Sequence, residues 1–167
     1  NKLDELKELI STKIQHPLNG DNKKVIVFTA FADTARYLYD NLNEVLLERY
    51  GVKSALITGK DNQSNANISK KDMTSILLNF SPKSKGRATD GDDIDILFAT
   101  DTISEGQNLQ DTDYLVNYDI HWNPVRVIQR FGRIDRIGST NKQIQLVNFW
   151  PNVELDDYIN LESRVRN

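Results

Sequence analysis

The chain of 167 residues is 38% apolar, 27% charged and 8% aromatic, a composition that suits one water-soluble domain and excludes collagen-like, disordered and membrane-spanning classes. With no cysteine and only His16 and His121, zinc ribbons, thiol chemistry and disulfide frameworks are excluded. No apolar run approaches the roughly 20 residues of a membrane helix, and the opening residues alternate charge with Leu, so a chain of the reducing cytoplasm, neither spanning nor targeting a membrane, is expected.

The net charge of −3 conceals a segregation. Between Ala88 and Val125 there are nine acids and no Lys or Arg, whereas between Arg126 and Arg136 four Arg face the single Asp135. Local fields therefore matter more than the total in deciding which partners the surface accepts.

In chain order, Leu3, Leu6, Leu9, Ile10 and Ile14 recur at helical spacing until Pro17 and Asn19-Gly20 end the pattern. This predicts an amphipathic lead-in helix within residues 1–22, ahead of a single domain at 23–167. Val25-Ile26-Val27-Phe28 is a short apolar, β-branched run, the pattern of a strand covered on both faces. Asp33 is placed to cap a following helix whose stripe is Ala35, Leu38, Leu42, Val45 and Leu46, with Gly51 stopping it. A second strand is expected over 54–58. Residues 59–67 are polar and patternless, and a helix to about Phe80 begins after the capping candidates Ser69 and Asp72. Residues 81–93, rich in Ser, Lys, Gly and Asp, read as a mobile loop. Apolar strands are expected over 94–99, 114–118 and 144–149, with helical segments near Ser104 and from Pro124, and a last helix from about Leu155.

Strands alternating with helices, each strand a nearly continuous apolar run, imply a parallel α/β sheet with helices on both faces. Such sheets bind ligands beyond the carboxyl ends of their strands. There the sequence sets Thr29, Thr58, Thr100-Asp101 and Asp119, short hydroxyls and carboxylates that could equally cap the next helix.

No phosphate-binding Gly-x-x-x-x-Gly-Lys-Ser/Thr loop is present, and Thr58-Gly59-Lys60 lacks both the preceding glycine and the hydroxyl after Lys. A Gly-x-Ser-x-Gly nucleophile elbow is likewise missing, and two isolated His without Cys argue against a metal centre. The informative stretch is Gln129 to Gly138. Arg126, Arg130 and Arg133 stand at i, i+4 and i+7, so on a helix three guanidiniums share one face and repel one another unless anions answer them. Those anions are either the acids of 90–119 or a phosphate, which suits the arginine fork.

Gln129-x-x-Gly132-Arg133-x-x-Arg136 resembles the sixth motif of superfamily-two helicases and translocases, and Ala99-Thr100-Asp101-x-x-Ser104-Glu105-Gly106-x-Asn108-Leu109-Gln110 resembles the fifth. Val25 to Phe31 is similar to the fourth, and Val116-Asn117-Tyr118-Asp119-x-x-Trp122-Asn123-Pro124 resembles the Swi/Snf branch, especially its bacterial RapA-like members. Asp135 and Ser139 depart from that branch, which usually carries His and Gln there.

The resemblance implies a RecA-like three-layer α/β/α domain, the second lobe of an ATP-driven motor whose first lobe, upstream, holds ATP and Mg²⁺. It implies that Arg136 is the finger on the γ-phosphate, with Arg133 a second contact. Gln129, Gly106 and Asp101 would stand at the nucleotide, with Asp101 holding an arginine of the sixth motif. Thr29, Thr100 and Ser104 would stand along the nucleic-acid backbone, with duplex DNA the expected track, although Ser104 also matches a capping residue paired with Gln107. Lys83, Lys85 and Arg87 could add electrostatic grip, and Trp122 is expected to pack against the arginine helix. Two other readings are a RecA-like nucleic-acid-binding or regulatory module without catalysis and a free-standing nucleotide or flavin protein.

Overall fold

A computed structural model describes residues 1–86, 91–103, 107–119, 124–134 and 141–149. Its elements are α1 (Lys2–Gln15), β1 (Val25–Phe28), α2 (Ala32–Tyr50), β2 (Ser54–Ile57), β3 (Asn62–Ser64), α3 (Met73–Phe80), β4 (Ile96–Ala99), β5 (Tyr114–Asn117), α4 (Pro124–Gly132) and β6 (Gln145–Asn148). The expected last helix from Leu155 lies outside the described residues.

The six strands form one sheet in the order β3-β2-β4-β1-β5-β6. Every pairing is parallel except that of β2 with β3, so the expected α/β class and mainly parallel sheet are present. The apolar runs of β1, β2, β4 and β5 are buried throughout, because successive side chains point to opposite faces and both faces are covered. Val25, Val27, Leu56, Ile96, Phe98, Tyr114 and Val116 pack with Leu6 and Ile10 of α1 and Leu38, Leu42 and Leu46 of α2. Ile26, Phe28, Ala55, Ile57, Leu97, Ala99 and Leu115 pack on the other face with Ile76, Leu77 and Phe80 of α3 and with Ile134 beyond α4. Each Val, Leu, Ile or Phe among them, once fully buried, contributes about 1.5–3 kcal/mol.

Helix α1 is a structural member of the first face. Its Lys13 ammonium lies 2.6 Å from Asp113, both side chains closed to solvent, and donates to the carbonyls of Asn22 and Lys24 at 2.6 and 2.9 Å. The ion pair ties the helix to the amino end of β5. Burial pulls the Lys13 pKa down, opposed by the hydrogen bond and charge of Asp113.

The helix ends follow local chemistry. Gly51, in the left-handed region at φ 69°, closes α2, and its N–H reaches Leu47. Asp72 caps α3 by accepting from Ser75 N–H at 2.8 Å. Asp33 does not cap α2: the helix starts one residue earlier, Phe31 occupies the cap without a side-chain bond, and Asp33 lies in the first turn.

Two polar segments differ from expectation. Residues 62–64 form the antiparallel edge strand β3, because the Thr58 hydroxyl accepts from Lys60 and Asp61 N–H at 3.2 and 2.8 Å and turns the chain back. Residues 82–86, expected to be part of a mobile loop, form a turn fastened to Asp111. Gly91 is close to the chain beyond β3, where a Cβ would fall 2.1 Å from the Asn67 carbonyl oxygen. Among the described residues, no helix is long and apolar enough to cross a membrane.

Candidate nucleotide and nucleic-acid edge

The carboxyl ends of β1, β4, β5 and β6 meet α4 along one rim. Helix α4 turns Phe131 inward, and Ile134 just beyond it is fully buried in the second core. Val125, Ile128 and Gln129 face outward. This places Arg130 over the ends of the strands.

Arg130 is the largest fully buried side chain among the described residues, with 1% exposure. Its Nε donates to Asp101 Oδ1 and its Nη2 to Asp101 Oδ2, both at 2.7 Å. Its Nη1 donates to Asn117 Oδ1 at 3.0 Å, and its guanidinium carbon lies 5.2 Å from the centroid of the Phe28 ring. A bidentate fork at this distance is the strong form of the charge-assisted bond, and it keeps the buried guanidinium from being stranded without a counter-charge. Asn117 is itself held, donating to Asn148 Oδ1 at 2.8 Å. One network thus joins the ends of β4, β5 and β6 to α4.

The segment after β4 is fastened to α4 a second time. Leu109 N–H donates to the Arg133 carbonyl at 3.1 Å, and Arg133 N–H turns back to the Arg130 carbonyl at 3.2 Å. Both termini of 101–109 are therefore held by residues of the arginine row or its continuation. Arg133 is buried at 8% exposure, while Gln129 is exposed on the outer side of the helix.

On the β1 side, Thr29 is fully buried and its hydroxyl donates to Asp119, which also accepts from Ala30 N–H at 2.9 Å. The Thr29 hydroxyl is committed to that carboxylate, and contact with an external ligand requires the bond to open. Thr100 is buried with its hydroxyl 2.9 Å from that of Thr102, which is exposed. Across the rim, Thr102 stands against Gly59, where a Cβ would lie 3.2 Å from its methyl group.

The structure brings Asp101, Arg133, Gln129, Thr29 and Thr100 to one rim. Arg136, Ser104 and Gly106 lie outside the described residues, as do Glu105, Arg87, His121, Trp122, Asp135 and Ser139. Of the loop cations, Lys85 donates to Gln107 Oε1 at 2.7 Å and Lys83 is exposed. The sequence reading placed Arg130 in the cationic row without separating its role, and it gave no role to Asn117 or Asn148. Their signal is an amide at the carboxyl end of two adjacent strands, the buried one of which, Asn117, needs a partner.

Comparison with known proteins agrees with this architecture. Residues 1–138 match the model of the helicase conserved C-terminal domain. The chain is 31% identical over 136 residues to the uncharacterized ATP-dependent helicase YqhH of Bacillus subtilis, covering 81% of this chain and 20% of that protein. It is 31% identical over 126 residues to the RNA polymerase-associated protein RapA of Yersinia enterocolitica, covering 75% of this chain and 11% of that protein. The putative ATP-dependent DNA helicase fml2 of Schizosaccharomyces pombe is also 31% identical, over 137 residues, covering 81% of this chain and 16% of that protein. The chain thus spans a fifth or less of the length of these relatives.

Among solved structures, the C-terminal part of the Fun30 ATPase domain superposes with a TM-score of 0.60 at 21% identity, covering 99% of this chain and 52% of that one. The Hef helicase domain of Pyrococcus furiosus gives 0.59 at 24% identity, covering 98% of this chain and 28% of that one. These likenesses establish the RecA-like fold alone. The family match spans most of the chain, taking in five of the six strands and the arginine helix just described, and the chain belongs to the helicase conserved C-terminal domain family.

Proposed function

We propose that this domain is the second motor lobe of an ATP-dependent nucleic-acid translocase or helicase acting on duplex DNA, and that it completes an ATP site whose phosphate loop belongs to an upstream lobe. The observation that carries the reading is the buried Arg130–Asp101 fork. It locks the segment resembling the fifth motif to the helix resembling the sixth, as a lobe that passes strain between nucleotide and nucleic acid requires.

The donor chemistry fits a polyphosphate. Gln129 and Arg133, on α4 and its continuation, offer an amide and a planar guanidinium, groups suited to phosphate oxygens. Mg²⁺ is assigned to the upstream lobe, as the resemblance to superfamily-two motors implies. ATP with Mg²⁺ supplies the phosphoryl group whose transfer to water drives the motor. Arg136 is the finger on the γ-phosphate, Arg133 is the second contact, Gln129 and Gly106 border the nucleotide, and Asp101 serves that side by holding Arg130. Thr29, Thr100 and Ser104 stand on the nucleic-acid side, where contacts fix position without reading sequence.

Joined to its upstream lobe, the protein hydrolyses ATP in a DNA-stimulated manner, and Arg136→Ala lowers turnover by about 10³-fold or more. The domain alone is inactive. Turnover that survives Arg136→Ala removes the finger assignment, and DNA binding without hydrolysis by the joined protein identifies a non-catalytic module instead.

A further inference from the structure

We infer that Asp119 is a resident anion on the nucleic-acid side of the domain. It occupies the two donors, the Thr29 hydroxyl and the Ala30 N–H, that a backbone phosphate would take, and nucleic acid binds there only by displacing it. The inference rests on the motor reading above and concerns how the Thr29 contact within it is controlled.

The topology brings the two segments together. Strands β1 and β5 are parallel neighbours with Phe28 beside Asn117, so residues 29–30 and 118–119 leave the sheet side by side. Tyr118 N–H donates to the Phe28 carbonyl at 2.9 Å and extends the ladder to that point. Beyond it, one Asp119 oxygen accepts the Ala30 N–H at 2.9 Å and the other accepts the Thr29 hydroxyl. The Thr29 oxygen also accepts the Phe31 N–H at 3.3 Å, which leaves its own proton for an acceptor on the far side. Thr29 is fully buried and Asp119 half-buried, so an incoming ligand reaches the hydroxyl only once the carboxylate has left it.

A side-chain hydroxyl and a main-chain N–H are also the donors with which proteins hold nucleic-acid phosphates. Carboxylate and phosphate therefore compete for the same pair, and two anions at one pair of donors repel each other. Among the described residues Asp119 has no cation within ion-pair distance, and its hold consists of bonds to neutral donors. Such an anion is exchanged for another without breaking a salt bridge. While nucleic acid is absent, Asp119 satisfies a buried hydroxyl that would otherwise be stranded. It also opposes any ligand unable to replace both bonds.

The test measures binding of the full-length protein, with its upstream lobe, to a linear duplex DNA at about 0.15 M salt, where distant charges are screened. Asp119→Asn removes the charge at nearly constant shape, and Asp119→Ala frees both donors. Each lowers the Kd about fivefold or more, whereas structural damage raises it. Asp33→Asn removes an exposed acid from the first turn of α2 and changes the Kd by less than about twofold. Thr29→Val weakens binding and shrinks the gain from Asp119→Asn, because only the Ala30 N–H is left to contest. An unaltered or raised Kd in the folded Asp119 variants overturns the inference. So does an equal gain from Asp33→Asn, or a gain undiminished beside Thr29→Val, since either marks a general charge effect. If Asp119→Ala does not fold, Asp119→Asn decides by the same criterion. A parent that does not bind duplex DNA, or a Thr29→Val variant that binds as the parent does, removes the placement of Thr29 and this inference with it. A weakened Thr29→Val beside unaltered Asp119 variants removes the inference alone.

Discussion

Asp111 holds Ser84 from across the fold. Its carboxylate accepts the Ser84 N–H at 2.7 Å and the Ser84 hydroxyl as well, and it takes the adjacent Lys83 N–H at 2.9 Å. A segment of Ser, Lys and Gly with little apolar anchorage is thereby given a fixed course beside the segment after β4, where Lys85 donates to Gln107. Asp111→Ala releases this turn. The expected result is a rise of about tenfold or more in amide hydrogen exchange over residues 83–86, with a stability loss of about 1–3 kcal/mol from the stranded donors. Unchanged exchange there would show that the turn holds without the carboxylate.

The Lys13–Asp113 pair predicts an asymmetry between single and double substitutions. Asp113→Asn leaves a buried ammonium without its counter-charge and costs about 3–5 kcal/mol, a fall of about 10 °C in thermal midpoint for a chain of this size. Lys13→Met combined with Asp113→Asn recovers part of that loss by removing the stranded charge. Recovery is incomplete, because the carbonyls of Asn22 and Lys24 lose their shared donor. Calorimetric melts of the three proteins check the order.

Asp95 links stability to pH. Burial pushes its carboxyl above the ordinary aspartate value; Lys24, with its Nζ 3.8 Å away, opposes the shift, Asp93 adds to it, and Lys23 and Lys13 lower it further. A carboxyl whose folded pKa exceeds its unfolded one binds more protons in the folded state, so its favourable contribution is complete below the unfolded value and fades as pH rises through the folded value. Asp95→Asn removes that titration. The variant-minus-parent difference in thermal midpoint is therefore more positive at pH 7 than at pH 3, and an equal difference at the two pH values contradicts the linkage.

Much of the fold was legible in the residues. The runs at 25–28, 54–57, 96–99 and 114–117 read as doubly covered strands because burial on both faces demands continuous apolar character, and the sheet places them so. Asp72 was readable as a cap because a short acceptor before an apolar helix has few other uses. Strand β3 was not, since Asn62-Gln63-Ser64 is specified by the Thr58 turn and the β2 backbone, and neither leaves a periodic trace in side chains. Along the rim, Arg126, Arg130 and Arg133 announced a cationic row that needed anions. Which anion answers which arginine depends on how strand ends separated by many residues come together. Asp101 answers Arg130, so the intramolecular reading holds at that position. Asn117 and Asn148 left only a faint signal, because a single amide closing an apolar strand resembles an ordinary strand terminus.

The hairpin at 58–64 also bears on how the molecule behaves in company. Had the sheet finished on Ser54–Ile57, a wholly buried aliphatic strand, its outer rim would offer unpaired amides and carbonyls to any neighbouring copy. Three residues of amide and hydroxyl, run in the opposite sense and too short to template much, replace that adhesive margin with a hydrophilic hem. Substituting Gln63 with a β-branched aliphatic residue would restore the stickiness.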